Sequence, residues 1–156
     1  MVLHLRNRWL PQIAIGRLPI DKESLVFSGP DGPKGEAMAR ILITEDEDSL
    51  RIFVARALRL DGHETVEAPD GAAGLDALTE GGFDLLLSDI RMPVMDGIEL
   101  AHKAAAAHPA LKILLMTGYA EQRERADDLA SKIIDVVSKP FSLPDIRRAV
   151  AQALAA

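Results

Sequence analysis

Uninterrupted apolar runs recur along the chain at Ile41-Leu42-Ile43, Leu85-Leu86-Leu87, Ile113-Leu114-Leu115-Met116 and Val136-Val137. Runs this short and this uniformly apolar read as strands buried on both faces. The predicted strands cover 41–43, 83–88, 112–116 and a short stretch around Val136-Val137. Thr65-Val66-Glu67-Ala68 is a weaker strand pattern and is expected at an edge. Between the strands the period lengthens. Leu50, Phe53, Val54, Ala57 and Leu58 recur at helical spacing and predict an amphipathic helix, with Ile52 and Ala55 outside its core stripe. Asp48 or Ser49 is placed to cap its start and Asp61-Gly62 to end it. A second helix is expected over 71–79, closed by Gly81-Gly82, and a third over 97–107, stopped near His108-Pro109. A charged helix is expected over 120–129, and a last one over 142–155 with Ser142 as N-cap and Pro144 in its first turn. Strands alternating with helices compose βα units, and right-handed crossovers put helices on both faces. The expected fold class is α/β, a (βα)5 doubly wound parallel sheet.

Residues 1–37 depart from this regularity. They hold Pro11, Pro19, Pro30 and Pro33 and no sustained period of either kind. They read as an irregular N-terminal arm ahead of a domain over 38–156. A signal peptide is not expected, because only the short patch Ile13-Ala14-Ile15 comes after Arg6 and Arg8, and Pro11 interrupts it. Codons for Lys34-Gly35-Glu36 can spell a purine-rich ribosome-binding sequence just ahead of Met38, which makes Met38 an alternative natural start.

Composition narrows the chemistry. Of the 156 residues, 48% are apolar and only 4% aromatic, which suits a domain packed with aliphatic side chains. With no cysteine, disulfides, thiolate metal sites and thiol nucleophiles are excluded, and a reducing cytoplasm is the compatible location. A net charge of -6 argues against nonspecific nucleic-acid binding and against a basic membrane patch. No apolar run approaches the roughly 20 residues of a membrane span. His4, His63, His102 and His108 lack metal-ligand spacing and are expected at surface or turn positions. No glycine-rich phosphate loop is present, so direct use of a nucleotide is not expected.

The residues just past each strand are more telling. Glu45 and Asp46 come after the first, Asp89 after the third, Thr117 after the fourth, and Lys139-Pro140 after the fifth. In a parallel sheet all of these lie on the carboxyl edge, where open α/β folds place their ligands. The acids can hold a hard divalent cation through oxygen. Thr117 and Lys139 can grip anionic oxygens as a hydroxyl donor and an ammonium. Taken singly, each has a plain reading as a helix-start charge, a strand residue or a solvated lysine. Their convergence on one edge suits phosphoryl transfer to a carboxylate.

The acidic pair Glu45-Asp46, the segment Ser88-Asp89-Ile90-Arg91-Met92-Pro93 with Met95-Asp96-Gly97 behind it, Thr117 and Lys139-Pro140-Phe141 resemble, in order, the receiver domain of two-component response regulators. The resemblance implies a flavodoxin-like fold with sheet order 2-1-3-4-5. It implies that Asp89 accepts a phosphoryl group from a histidine kinase or histidine phosphotransfer protein, with Thr117 and Lys139 on the phosphoryl oxygens. It further implies that Mg2+ is bound by Asp46, Asp89 and the backbone carbonyl of Arg91, with Glu45 in support. Such a protein is a phospho-acceptor and signalling module more than an enzyme. An aspartyl phosphohydrolase would want a general acid two residues after the nucleophile, where Arg91 stands. A scaffold independent of phosphorylation is the third reading.

Two departures from the family matter. Many receivers carry an aromatic switch three positions before the lysine, where this chain has Val136; Tyr119 is the nearest substitute. Ile52 is a candidate docking point for a phosphodonor helix. No DNA-binding domain is expected after the last helix, so output falls to a protein partner that the sequence does not name. Segments 96–101 and 137–141 also resemble CpdR-type single-domain regulators of alphaproteobacteria, which control substrate delivery to the ClpXP protease.

Overall fold

The structure is a computed structural model and describes residues 38–156; the proline-bearing arm and the alternative-start reading that precedes Met38 lie outside the described residues. The elements are β1 (Arg40–Thr44), α1 (Asp48–Leu60), β2 (Glu64–Ala68), α2 (Gly71–Leu78), β3 (Leu85–Asp89), α3 (Gly97–Ala107), β4 (Lys112–Thr117), α4 (Ala120–Asp127), β5 (Asp135–Ser138) and α5 (Leu143–Ala155). The strands form one sheet in the order β2-β1-β3-β4-β5, and every pairing is parallel. The (βα)5 architecture and the 2-1-3-4-5 order are thus the ones expected, with β2 at an edge.

Successive residues of a strand face opposite sides, so each apolar run feeds two cores. Ile41, Ile43, Leu85, Leu87, Leu114 and Met116 pack on one face against Val54 and Leu58 of α1 and Ile146 and Val150 of α5. Leu42, Leu86, Ile113 and Leu115 pack on the other against Leu78 of α2 and Leu100 and Ala104 of α3. Each fully buried Leu or Ile contributes on the order of 1.5–3 kcal/mol. Met92, Met95 and Met116 all serve packing.

The first helix keeps Leu50, Val54, Ala57 and Leu58 of its expected stripe but exchanges Phe53 for Ala55. Ala55 is fully buried and Phe53 is exposed. A single stripe describes a helix lying on one surface, but α1 also abuts α5, and Ala55 shares a core with Ile146 and Val150. Its N-cap is Glu47, not Asp48 or Ser49. Those side chains are engaged elsewhere: Asp48 pairs with Arg51 at 2.7 Å, and the Ser49 hydroxyl donates to Glu47 at 2.9 Å. The cap of α5 is as expected, with the Ser142 hydroxyl accepting from Asp145 N–H at 3.2 Å and Asp145 returning the bond to Ser142 N–H at 3.0 Å.

At the amino edge Arg40 gathers several partners. Its backbone N–H donates to the Asp84 carboxylate at 2.8 Å, and its guanidinium donates to Glu64 at 3.1 Å and Gly81 O at 2.6 Å. The same guanidinium lies over the Phe83 ring at 4.3 Å. β3 starts at Leu85 and not at Phe83: the Phe83 ring is held under Arg40, and Asp84 makes the first backbone bonds to both neighbours, donating to Arg40 O at 2.8 Å and accepting from Lys112 N–H at 3.2 Å. His63 is buried, contrary to a surface position, because its Nδ1 accepts from Ala39 N–H at 3.3 Å.

Candidate functional site

The carboxyl edge of the sheet carries the site. β1 runs out at Thr44, which delivers Glu45 and Asp46 to the edge; β3 ends on Asp89; β4 ends on Thr117; β5 hands over to Lys139. Buried strands hold these ends rigidly, so side chains far apart in the chain meet. Carboxylate oxygens of Glu45, Asp46 and Asp89 lie within 4.8 Å of one another. Lys139 Nζ donates to Glu45 Oε2 at 2.8 Å and lies 3.1 Å from Asp89 Oδ1. Glu45 is 1% exposed and Asp89 5%, whereas Asp46 faces solvent.

Burial is the main reason that Glu45 and Asp89 titrate above the ordinary carboxylate range. The Lys139 ammonium opposes the rise without overcoming it, and for Asp89 the neighbouring Asp46 adds to it. Burial works to lower the pKa of Lys139, but Glu45 and Asp89 outweigh it and raise that pKa. Of the three carboxylates, two pair with the one ammonium and Asp46 has none. Such a cluster holds more negative charge than it neutralises, and its donors are all hard oxygens. That combination fits a hard divalent cation. The residues line a cleft of about 610 Å3 with Leu50, Arg91, Tyr119, Gln122 and Phe141 also on its walls.

Thr117 is buried, and its hydroxyl is engaged: it accepts from Tyr119 N–H at 3.1 Å and donates toward Gln122 Oε1 at 2.9 Å. Arg91 and Tyr119 are both exposed and stack at the mouth of the cleft, with the guanidinium 5.2 Å from the ring centre. Ile52 is 43% exposed on α1 and does not line the cleft. So the fold brings Glu45, Asp46, Asp89 and Lys139 together and sets Arg91 and Tyr119 on the cleft wall beside them; Thr117 is joined to Lys139 through the backbone but is not on that wall, and Ile52 is left on a neighbouring surface.

A model of the response regulator receiver domain matches residues 41–151. The chain belongs to this family. The receiver is 43% identical over 109 residues to the response regulator receiver protein CpdR of Brucella abortus, a match covering 70% of this chain and 91% of CpdR. It is 31% identical over 111 residues to sporulation initiation phosphotransferase F of Bacillus subtilis, covering 71% of this chain and 90% of that protein. Among solved structures it resembles the response regulator TrrA of Thermotoga maritima in complex with Mg2+ and BeF, with a TM-score of 0.68 and 29% identity over 74% of this chain and 99% of TrrA.

Several supports of this receiver site escape a reading of the sequence. Gly97 looks like a turn glycine there. A Cβ at this position would stand 2.1 Å from the backbone oxygen of Asp89, so α3 approaches the strand end closely only because residue 97 has no side chain. Gly97 N–H donates to Ile90 O at 2.7 Å across that contact. Asp96 is more than a turn residue too: it caps α3 by accepting from Glu99 N–H at 2.9 Å and pairs with Arg125 of α4 at 2.8 Å. Beneath the site, the fully buried Thr44 hydroxyl donates to Ser88 Oγ at 2.5 Å, and Ser88 donates to the Asp89 carbonyl at 2.9 Å. None of these has a signal in hydrophobic periodicity. The Asp-Gly pair is the only visible hint.

The loop between β3 and α3 carries one strained residue. Val94 has φ of 70° and is 85% exposed. A β-branched residue is a clear outlier in the left-handed region, and strain of this kind costs on the order of 1–3 kcal/mol. Val94→Gly relieves the strain and gives back part of the gain as chain entropy. The expected net result is a receiver more stable by about 0.5–1 kcal/mol in urea unfolding. A loss of stability of similar size would mean that the loop is relaxed with valine in place.

Proposed function

We propose that this receiver is a single-domain response regulator that accepts a phosphoryl group on Asp89. The donor is the phosphohistidine of a histidine kinase or histidine phosphotransfer protein. A carboxylate oxygen of Asp89 attacks phosphorus, an O–P bond forms, and the P–N bond breaks with its electron pair returning to the imidazole. The observation that carries this reading is the placement of Lys139 Nζ between Glu45 and Asp89 in a buried acidic cluster. The ammonium shields the nucleophile's charge from an incoming anion and can track the transferred oxygens. Thr117 is the proposed second donor to those oxygens.

Mg2+ is the cofactor this donor set fits. Asp46, Asp89 and the backbone carbonyl of Arg91 would hold it, with Glu45 in support. When bound, it supplies positive charge that draws the phosphoryl oxygens toward the nucleophile. The complex of TrrA with Mg2+ and BeF supports the same assignment for a relative. The phosphorylated state then signals by binding an output protein, without direct contact to DNA, and the resemblance of segments 96–101 and 137–141 to CpdR-type regulators favours control of proteolysis as the output. Tyr119 at the mouth of the cleft is the proposed switch, and Ile52 beside α1's start is the proposed docking point for the donor. Among the described residues no helix is long and apolar enough to cross a membrane; a cytoplasmic location for the 38–156 domain, outside any membrane, is part of the proposal.

The cofactor reading is tested by heat. A ligand specific to the native state adds about 2.7 kcal/mol at a hundred times its dissociation constant. Each kcal/mol is worth roughly 4 °C in a domain of this size, so Mg2+ at that excess is expected to raise the melting temperature by about 10 °C. Asp46→Asn should abolish the rise. An equal rise in that variant would remove the acidic cluster as the site.

A further inference from the structure

Thr117 has one hydroxyl hydrogen, and in this structure a residue outside the conventional site competes for it. The hydroxyl accepts from Tyr119 N–H, so its remaining role is to donate. Its acceptors are Gln122 Oε1 at 2.9 Å and, farther away, Tyr119 O at 3.1 Å. Gln122 sits in the first turn of α4 and lines the same cleft as Asp89 and Lys139. A hydrogen donated to Gln122 is not available to an oxygen placed on Asp89.

The helix that carries Gln122 is weakly seated. Within α4 only Ala126 is buried, and the other residues are mostly charged or polar. Its remaining side-chain ties are polar ones: Arg125 to Asp96, and Arg123 to Val136 O at 3.1 Å, Ser138 Oγ at 3.3 Å and Asp135 at 3.8 Å. A bond from the first turn of such a helix to the end of β4 is therefore a substantial part of what fixes its start.

We propose that Gln122 is a positioning residue that holds Thr117 in reserve, so that loading of Asp89 must break the Thr117–Gln122 bond and thereby frees the start of α4. This role rests on the phospho-acceptor function proposed for Asp89 and adds to it the residue that sets the cost of activation. Gln122 acts through Thr117 and does not touch the phosphoryl group itself. Its amide lowers the affinity of the site for a phosphoryl mimic in exchange for an α4 that is held in place until the mimic binds.

The test uses the full chain with Mg2+ and beryllofluoride, monitored by fluorine NMR titration. Gln122→Leu keeps a similar side-chain length and helix propensity while removing the acceptor. It should bind beryllofluoride about fivefold tighter, the factor that corresponds to one net neutral hydrogen bond. The same substitution made in a Thr117→Val background should change affinity by less than about twofold, since no hydroxyl is left to release. Equal or weaker binding by Gln122→Leu, or a full gain persisting without the hydroxyl, overturns the proposal while leaving the phospho-acceptor reading in place. Wild-type protein that takes up no beryllofluoride with Mg2+ overturns both, so the two failures are distinct.

Discussion

Asp89→Asn is expected to cut phosphoryl incorporation from a phosphodonor by at least about a thousandfold, the scale set by removing a nucleophile. An amide oxygen does not displace the donor nitrogen, and no neighbouring carboxylate is positioned to take over. Glu45 is committed to Lys139 and to Glu47 N–H, which it accepts at 3.1 Å. Asp46 faces solvent without that ammonium. The fold should survive, because asparagine has the same shape and the surrounding core is aliphatic. The measurement is label retained per chain, with circular dichroism to verify folding. Retention near the wild-type level in the folded variant would place the acceptor elsewhere and end the assignment.

Gly97→Ala is expected to cost about 3 kcal/mol in stability, at the upper end of overpacking substitutions. The added methyl would collide with the Asp89 carbonyl oxygen at 2.1 Å and with its carbon and the Ile90 Cα at 2.9 Å. All of these are backbone atoms, so no side-chain rotation relieves the clash. Either α3 withdraws or the end of β3 moves. Because β3 ends on the proposed acceptor, the variant that remains folded should also lose Mg2+ affinity. Urea unfolding gives the first number and a Mg2+ titration the second. Wild-type values for both would show that α3 has slack at its start.

The carboxyl-edge residues are legible in the chain because they come directly after strands that hydrophobicity alone defines. Leu85-Leu86-Leu87 fixes the centre of β3, though not its bounds, and puts Asp89 at its lip. The sheet order comes from the family resemblance and agrees with the pairing observed. The hidden features depend on neighbours from distant segments. Ala55 cannot be placed in the core without knowing that α5 returns beside α1. The burial of His63 depends on Ala39 coming to rest beside it. Gly97 is indispensable only because of the Asp89 carbonyl, and Gln122 matters only because the hydroxyl of Thr117 reaches it. Periodicity reports which face of an element is dry, not which polar atom another element will meet.

The cluster around Arg40 lies at the opposite pole of the sheet from Asp89 and Lys139. It clamps the start of β1 to β2 and to the turn before β3, and its aromatic cover over Phe83 completes the clamp. The amino rim is therefore pinned across three segments, whereas at the carboxyl rim α4 is seated in the core through Ala126 alone. Loading of Asp89 is therefore expected to displace α4 before any other helix, with the amino rim as the fixed end.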